Sequence, residues 1–281
     1  MTAGYVCVVQ NNADTDYLRM AYLQALSCKL TQKKNANFSI ITDQNTAEQI
    51  TDRQRDVFDH VVIMPVDLAA DTEIKQANEA QVFNLTPYKQ TVKTEADMLF
   101  TCDYSFYWLV YGQYDMVFSS NIYTYNNDLI INRSQRHLFD INQLPDIYSA
   151  WTYFSYDRNS KDFYDTVRQI MVDWPWYRDM YLVNCRYDTP RTDEVYAIAH
   201  KILNRSLTHN TMGFVHMKNP LQNLSVNQPW TEQLPVEIHK DFHVVVGHYR
   251  QNRPLHYQLK TFVTDELLDR YEHGYRTRIL G

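Results

Sequence analysis

Residues 85–103 read LTPYKQTVKTEADMLFTCD, and the rest of the chain is organised around them. Thr86-Pro87 marks a turn, because proline fixes φ and pushes its predecessor out of the helical region. Thr91-Val92-Lys93-Thr94 then alternates β-branched and polar residues, as a strand entering a sheet does. That strand delivers two carboxylates, Glu95 and Asp97, separated only by Ala96 and followed by the apolar run Met98-Leu99-Phe100. Two acids at i and i+2 beside such a run are costly if buried unpaired. A divalent cation compensates them, since hard cations take carboxylate oxygens. A surface turn whose acids meet only water fits the same spacing, so the choice rests with the remaining sequence.

Upstream, residues 5–9 (YVCVV) have strand character and end in Gln10-Asn11-Asn12. Asp14 or Thr15 can cap a following helix, in which Leu18, Tyr22, Ala25 and Leu26 repeat at helical spacing. Residues 37–42 and 60–64 read as further strands, with a charged surface helix over 46–57. Strands alternating with helices predict an α/β fold with a mainly parallel sheet covered on both faces. Ligands bind such sheets at the carboxyl ends of the strands. Asn11, Asn12, Glu95 and Asp97 all fall there and are expected to converge. Downstream, residues 115–119, 148–156, 214–217 and 242–248 read as strands. Helices are expected from Asn159 or Ser160 to about residue 174, from Thr192-Asp193-Glu194 to 203, and after Thr264. No linker divides the chain, so one domain over 1–281 is expected.

Composition narrows the chemistry. The chain has 281 residues, 44% hydrophobic and 21% charged, which is ordinary for a globular protein. No apolar run approaches the roughly 20 residues of a membrane helix. The first residues lack the basic-then-apolar layout of a signal peptide, so a cytoplasmic protein without a membrane partner is expected. Four scattered cysteines, Cys7, Cys28, Cys102 and Cys185, read as reduced. The formal charge is −6, unlike a generic nucleic-acid binder, although residues from 240 onward carry +2 and the remainder −8. Six widely spaced glycines supply neither GxGxxG nor GxxxxGK[ST], so a glycine loop does not cradle phosphate here. A phosphorylated ligand must be held by a metal or by basic side chains.

Several residues suit that task. His248 follows Gly247 at the end of an apolar strand and precedes Tyr249-Arg250-Gln251-Asn252-Arg253-Pro254. An imidazole at a strand end can complete a divalent-metal site with two carboxylates, and the Arg253 guanidinium suits phosphate. His216-Met217-Lys218 repeats the arrangement, and either histidine reads equally well as a hydrogen-bonded one. Asp193-Glu194 at a helix start satisfies free N–H groups and the helix dipole, so spacing alone gives it no further role.

Taken in order, these elements resemble the GT-A-type nucleotide-diphosphosugar transferases. TPYKQTVKTEADMLF resembles the strand carrying that family's DxD motif, with Glu95-Ala96-Asp97 in the DxD place and a glutamate as the departure. EADMLF, DMVFSS, LPDIYSAWTYF and TDEVYA resemble a group of these glycosyltransferases encoded by large tailed bacteriophages, over roughly residues 5–257. The resemblance implies a GT-A-like Rossmann-type mixed sheet, with a donor half over about 1–120 and an acceptor half over about 121–281. It implies Mn2+ or Mg2+ held by Asp97, Glu95 and His248, with His216 as the rival third ligand. Asn11, Asn12, Tyr17, Ala96, Lys218 and Arg253 would join Glu95 and Asp97 around a UDP-sugar. Tyr148, Ser149 and Trp151 would face the acceptor, and Asp193 and Glu194 would be the catalytic pair. The reaction implied is transfer from a UDP-sugar of the glucose or arabinose class to a hydroxyl. The preferred acceptor is hydroxylated or hydroxymethylated cytosine in double-stranded phage DNA, in the host cytoplasm. The alternatives are a glycan or protein acceptor, or a non-catalytic GT-A-like binding protein.

Overall fold

Apolar runs too short for helices build the frame. The computed structural model describes residues 2–70, 75–205, 208 and 212–281. Its strands, in chain order, are β1 (Ala3–Val9), β2 (Phe38–Thr42), β3 (His60–Ile63), β4 (Gln90–Thr94), β5 (Met98–Leu99), β6 (Met116–Ser119) and β7 (Ile122–Tyr123). There follow β8 (Tyr148–Ser155), β9 (Phe214–His216), β10 (Val236–Ile238), β11 (Val244–Val246), β12 (Tyr249–Arg250) and β13 (Leu255–His256). The main sheet has the order β3-β2-β1-β4-β8-β6, with β8 antiparallel to both neighbours and the first four strands mutually parallel. A second sheet, β5-β13-β9-β7, is built from very short strands, and β10-β11-β12 form a third.

Strand alternation divides the main sheet between two apolar layers. Tyr5, Cys7, Phe38, Ile40 and Val92 face the layer under the helix Tyr17–Thr31 and the C-terminal helix Asp265–Tyr275. Val6, Ile41, Phe118 and Phe154 face the helices Arg158–Val172 and Thr192–Leu203. Both faces are therefore covered, as the apolar strands predict.

Several local expectations need correction. Asp16, not Asp14 or Thr15, caps the first helix, and Asp157 rather than Asn159 or Ser160 caps the helix from Arg158. Residues 46–57 form two single turns, Gln44–Ala47 and Asp52–Arg55, capped by Asp43 and Thr51. The strand expected over 242–248 shrinks to β11. Phe242 is in the left-handed region (φ +66°) and Gly247 turns the chain at φ +63°. The contorted Phe242 ring fills the space above Gly274, where an added Cβ would meet it at 2.0 Å. That close approach docks the last helix on the β10–β11 hairpin.

Candidate functional site

The main sheet delivers its polar groups at one edge. β1 and β4 run parallel, so Asn12 beyond β1 and Glu95 beyond β4 emerge side by side. β8 runs against β4, which brings its first residues, Tyr148 and Ser149, to the same edge; Glu95 N–H donates to Ala150 O at 3.2 Å. The second sheet completes the place. β5 pairs with β13, which sets Met98 opposite His256, and Tyr257 N–H donates to Asp97 O at 3.1 Å.

Glu95, Asp97 and His256 thus converge, with one possible ligand atom from each within 4.8 Å of the others. His256 Nε2 lies 3.1 Å from Glu95 Oε2 and 3.0 Å from Asp97 Oδ1. Gln258 Nε2 is 2.7 Å from the same ring nitrogen. Burial opposes a charge on His256, yet Asp97 and then Glu95 raise it to about 10, so in the ligand-free protein an imidazolium stands between the two carboxylates. Once deprotonated, the ring could join them as the donor set of a cation. Two hard carboxylates and one imidazole suit Mn2+ or Mg2+. The other ring nitrogen, Nδ1, is 3.2 Å from Nδ1 of His216. Burial, and then the neighbouring His256, push His216 well down, so it stays neutral and can accept the His256 Nδ1–H. His216 therefore orients the imidazole from behind, as outer partners of metal-binding histidines do.

His256 stands where the sequence reading set His248, with His216 as rival. His248 is exposed in the hairpin between β11 and β12, in the third sheet. The difference is one of register between two His-Tyr dipeptides, His248-Tyr249 and His256-Tyr257. Only the second, His256-Tyr257, has a lysine four residues beyond the histidine, Lys260, and that pattern was the signal available. Lys260 Nζ donates to Asp97 Oδ2 at 3.3 Å and lies 4.7 Å from the Tyr17 ring centroid. Burial opposes the charge on Asp97, yet His256 and Lys260 hold its carboxyl well below the usual range.

Two clefts meet at this cluster. One, of about 510 Å³, is lined by Val8, Asn12, Tyr17, Ala96, Asp97 and Lys260. The other, of about 240 Å³, is lined by Arg136, Tyr148, Ser149, Asp193, Glu194 and Lys218. Gln76, Glu95 and Gln258 line both. Under the first, fully buried Lys93 lies 2.5 Å from Glu79 Oε2 and donates to Ser149 O at 3.3 Å.

Three expected site residues lie elsewhere. Asn11 holds the first helix in place: its Oδ1 accepts from Leu18 N–H at 2.9 Å and its Nδ2 donates to Gln49 Oε1 at 2.8 Å. Trp151 shares its strand face with Tyr153 and packs in the core against Tyr5 and Phe100, with its indole N–H donating to Tyr111. Arg253 lies over the Tyr123 ring at 3.8 Å and bonds Asn252, outside both clefts. Lys218 lines the second cleft and not the one holding Tyr17 and Lys260.

Asp193 and Glu194, adjacent in sequence, have opposite environments. Asp193 accepts from Ser149 N–H at 2.8 Å, Ser149 Oγ at 2.7 Å and Arg136 Nη1 at 2.9 Å. Glu194 is buried, and burial together with the Asp193 charge pushes it up to about 7. A raised acid contributes most stability below its unfolded value, near 4.3, and loses that contribution as pH climbs through about 7. In ligand-free protein, Glu194→Gln is therefore expected to match wild type near pH 4 and to exceed it by about 1–3 kcal/mol at pH 8. Urea unfolding at the two pH values checks this; a difference independent of pH would remove the buried-acid account.

Solved structures share the architecture. The galactosyltransferase LgtC, in a complex with donor and acceptor sugar analogues, is similar at a TM-score of 0.57 and 10% identity, over 98% of this chain and 95% of that one. A second LgtC structure, an active-site mutant, gives 0.54 at 10% identity over the same shares. Mouse xyloside xylosyltransferase 1 gives 0.47 at 10% identity, over 74% of this chain and 84% of that one. No protein-family model and no curated protein matches the chain. The likeness to LgtC establishes the fold, a mixed α/β fold of the GT-A type. Among the described residues no helix is long and apolar enough to cross a membrane.

Proposed function

We propose that the chain is a metal-dependent glycosyltransferase that moves a sugar from a UDP-sugar to a hydroxyl acceptor, with hydroxylated or hydroxymethylated cytosine in DNA the preferred acceptor. The observation that carries this reading is the Glu95–Asp97–His256 cluster at the junction of two clefts. Those three residues would hold Mn2+ or Mg2+, which when bound supplies positive charge for the departing diphosphate. The chain's own residues do the remaining work. Asn12 and Tyr17 border the nucleotide side, and Lys260 offers an ammonium to the phosphates without a glycine loop. Asp193, fixed by Arg136 and Ser149, faces the transferred sugar and can steady oxocarbenium character. Glu194, with its value near 7, suits a proton acceptor for the incoming hydroxyl at neutral pH.

Calorimetry with UDP in the presence and absence of Mn2+ tests the donor side. Binding that requires the cation is expected. A screen of UDP-sugars on hydroxymethylcytosine DNA, read by mass, then identifies sugar and acceptor, while UDP release into water reports donor cleavage by itself. Absence of UDP binding at millimolar Mn2+ would defeat the reading.

A further inference from the structure

Lys218 and Arg191, two cations of the second cleft, are in no ion pair among the described residues. Lys218 lies just beyond β9, and Arg191 just before the helix Thr192–Leu203; both line the cleft with Asp193 and Glu194. Two of the nearby acids have their partners elsewhere, while Glu194 lies within electrostatic reach of Arg191. Asp193 is bonded by Arg136 and Ser149, and Glu95 by His256 and Ser149. Among the described residues neither the Lys218 nor the Arg191 head group is in an ion pair. The Arg191 guanidinium lies over the Tyr187 ring at 3.4 Å, which fixes its plane and leaves its N–H edge available. Burial and then the Arg191 charge lower Lys218 while the Asp193 charge raises it, so the two cations and Asp193 lie within electrostatic reach of one another. Asp193, already bonded by Arg136 and Ser149, offsets these like charges only in part, and a further anion in the cleft would offset them more.

At Lys218 and Gln258 the cleft opens into a shallower groove of about 330 Å³. Asn219, Asn227 and Gln228 supply its other polar side chains, and no carboxylate is among its described lining residues. The chain has 33 acidic residues, so an acid-free path out of the cleft suits a negatively charged occupant. Neither Lys218 nor Arg191 lines the cleft of Asn12, Tyr17 and Lys260, where the donor nucleotide is proposed to lie.

Resting on that glycosyltransferase reading, we propose that Lys218 and Arg191 form an anion subsite for a phosphate carried by the acceptor, so that the hydroxyl receiving the sugar belongs to a phosphate-bearing molecule and not to a neutral glycan. The planar guanidinium supplies a fork and the ammonium a point charge, a pairing matched to phosphate oxygens. The groove beyond favours a phosphodiester strand over a small phosphate ester.

The test compares wild type with Lys218→Met, Arg191→Met and the double variant, each checked for unfolding midpoint. The probes are inorganic phosphate, hydroxymethyldeoxycytidine, its 5′-monophosphate, and a hydroxymethylated duplex. Wild type should bind the monophosphate roughly tenfold or more tighter than the nucleoside, and each single variant should remove most of that gain. Inorganic phosphate should compete with the monophosphate. For the duplex, losing one phosphate contact should reduce the slope of log affinity against log salt by about 1. Lys218→Arg should restore part of the binding. Tighter binding of the duplex than of the monophosphate supports the strand; equal affinity overturns that part and leaves a small phosphate ester. Equal affinity of wild type for nucleoside and monophosphate overturns the subsite. So does a variant that loses UDP binding in Mn2+, which would return these cations to the donor diphosphate. Failure of wild type to bind UDP defeats the glycosyltransferase reading instead, while the phosphate arms still report on Lys218 and Arg191.

Discussion

Asp97→Asn is expected to lower sugar transfer by at least about a thousandfold while the protein still unfolds cooperatively, because the substitution removes charge and almost no shape. The backbone carbonyl of residue 97 keeps its bond from Tyr257, which ties β5 to β13 irrespective of the side chain. The amide oxygen can still accept from His256 or Lys260, at present 3.0 and 3.3 Å from the carboxylate. What disappears is the negative charge that both cations oppose and that a divalent ion requires. Glu95→Gln should be milder, since Glu95 is shared between His256 and Ser149 and is the less enclosed acid. Turnover at saturating Mn2+ and a calorimetric Mn2+ titration measure both variants. Transfer by Asp97→Asn within tenfold of wild type would separate this carboxylate from the reaction. Weakened Mn2+ binding with intact transfer would make the site structural.

Asp97 could be found in the sequence because its signal is local. A turn, an alternating strand, two acids and an apolar run lie within nineteen consecutive residues, residues 85–103. The parallel frame is legible for the same reason, since β1, β2 and β3 are apolar runs separated by a helix and by polar segments. His256 is not, because β13 is two residues long and owes its place to pairing with β5 and β9, far away in sequence. No periodicity marks such a strand. Trp151 failed in the opposite way. Its strand is legible in the sequence, but the face it presents is set by packing on Tyr5 and Phe100, which no local pattern discloses. Arg136 gave no signal at all, although it is one of the most buried charges beside the site.

That arginine carries the second large effect. Arg136→Met is expected to reduce transfer about a hundredfold and to cost roughly 3–5 kcal/mol of stability, the usual result of removing one partner from a buried charge network. Its guanidinium lies between the Phe139 and Tyr148 rings, 3.5 and 4.0 Å from their centroids. From there Nε bonds Asp146 at 2.8 Å, Nη1 bonds Asp193 at 2.9 Å, and Nη2 reaches Ile147 O. The fork thus fixes the loop before β8 and the start of the helix Thr192–Leu203 in a single plane, and Asp193 is aimed by it. Arg136→Lys separates aiming from stability. A lysine restores charge but not the planar fork, so it should recover much of the unfolding midpoint and little of kcat. The KM for the UDP-sugar should change less than kcat, because the nucleotide cleft does not include Arg136. A double-mutant cycle with Asp193→Asn closes the argument. If Arg136 acts through Asp193, its effect on kcat should largely vanish in the Asp193→Asn background, whereas its effect on stability should persist through Asp146. Full additivity in kcat would mean that the arginine acts by another route.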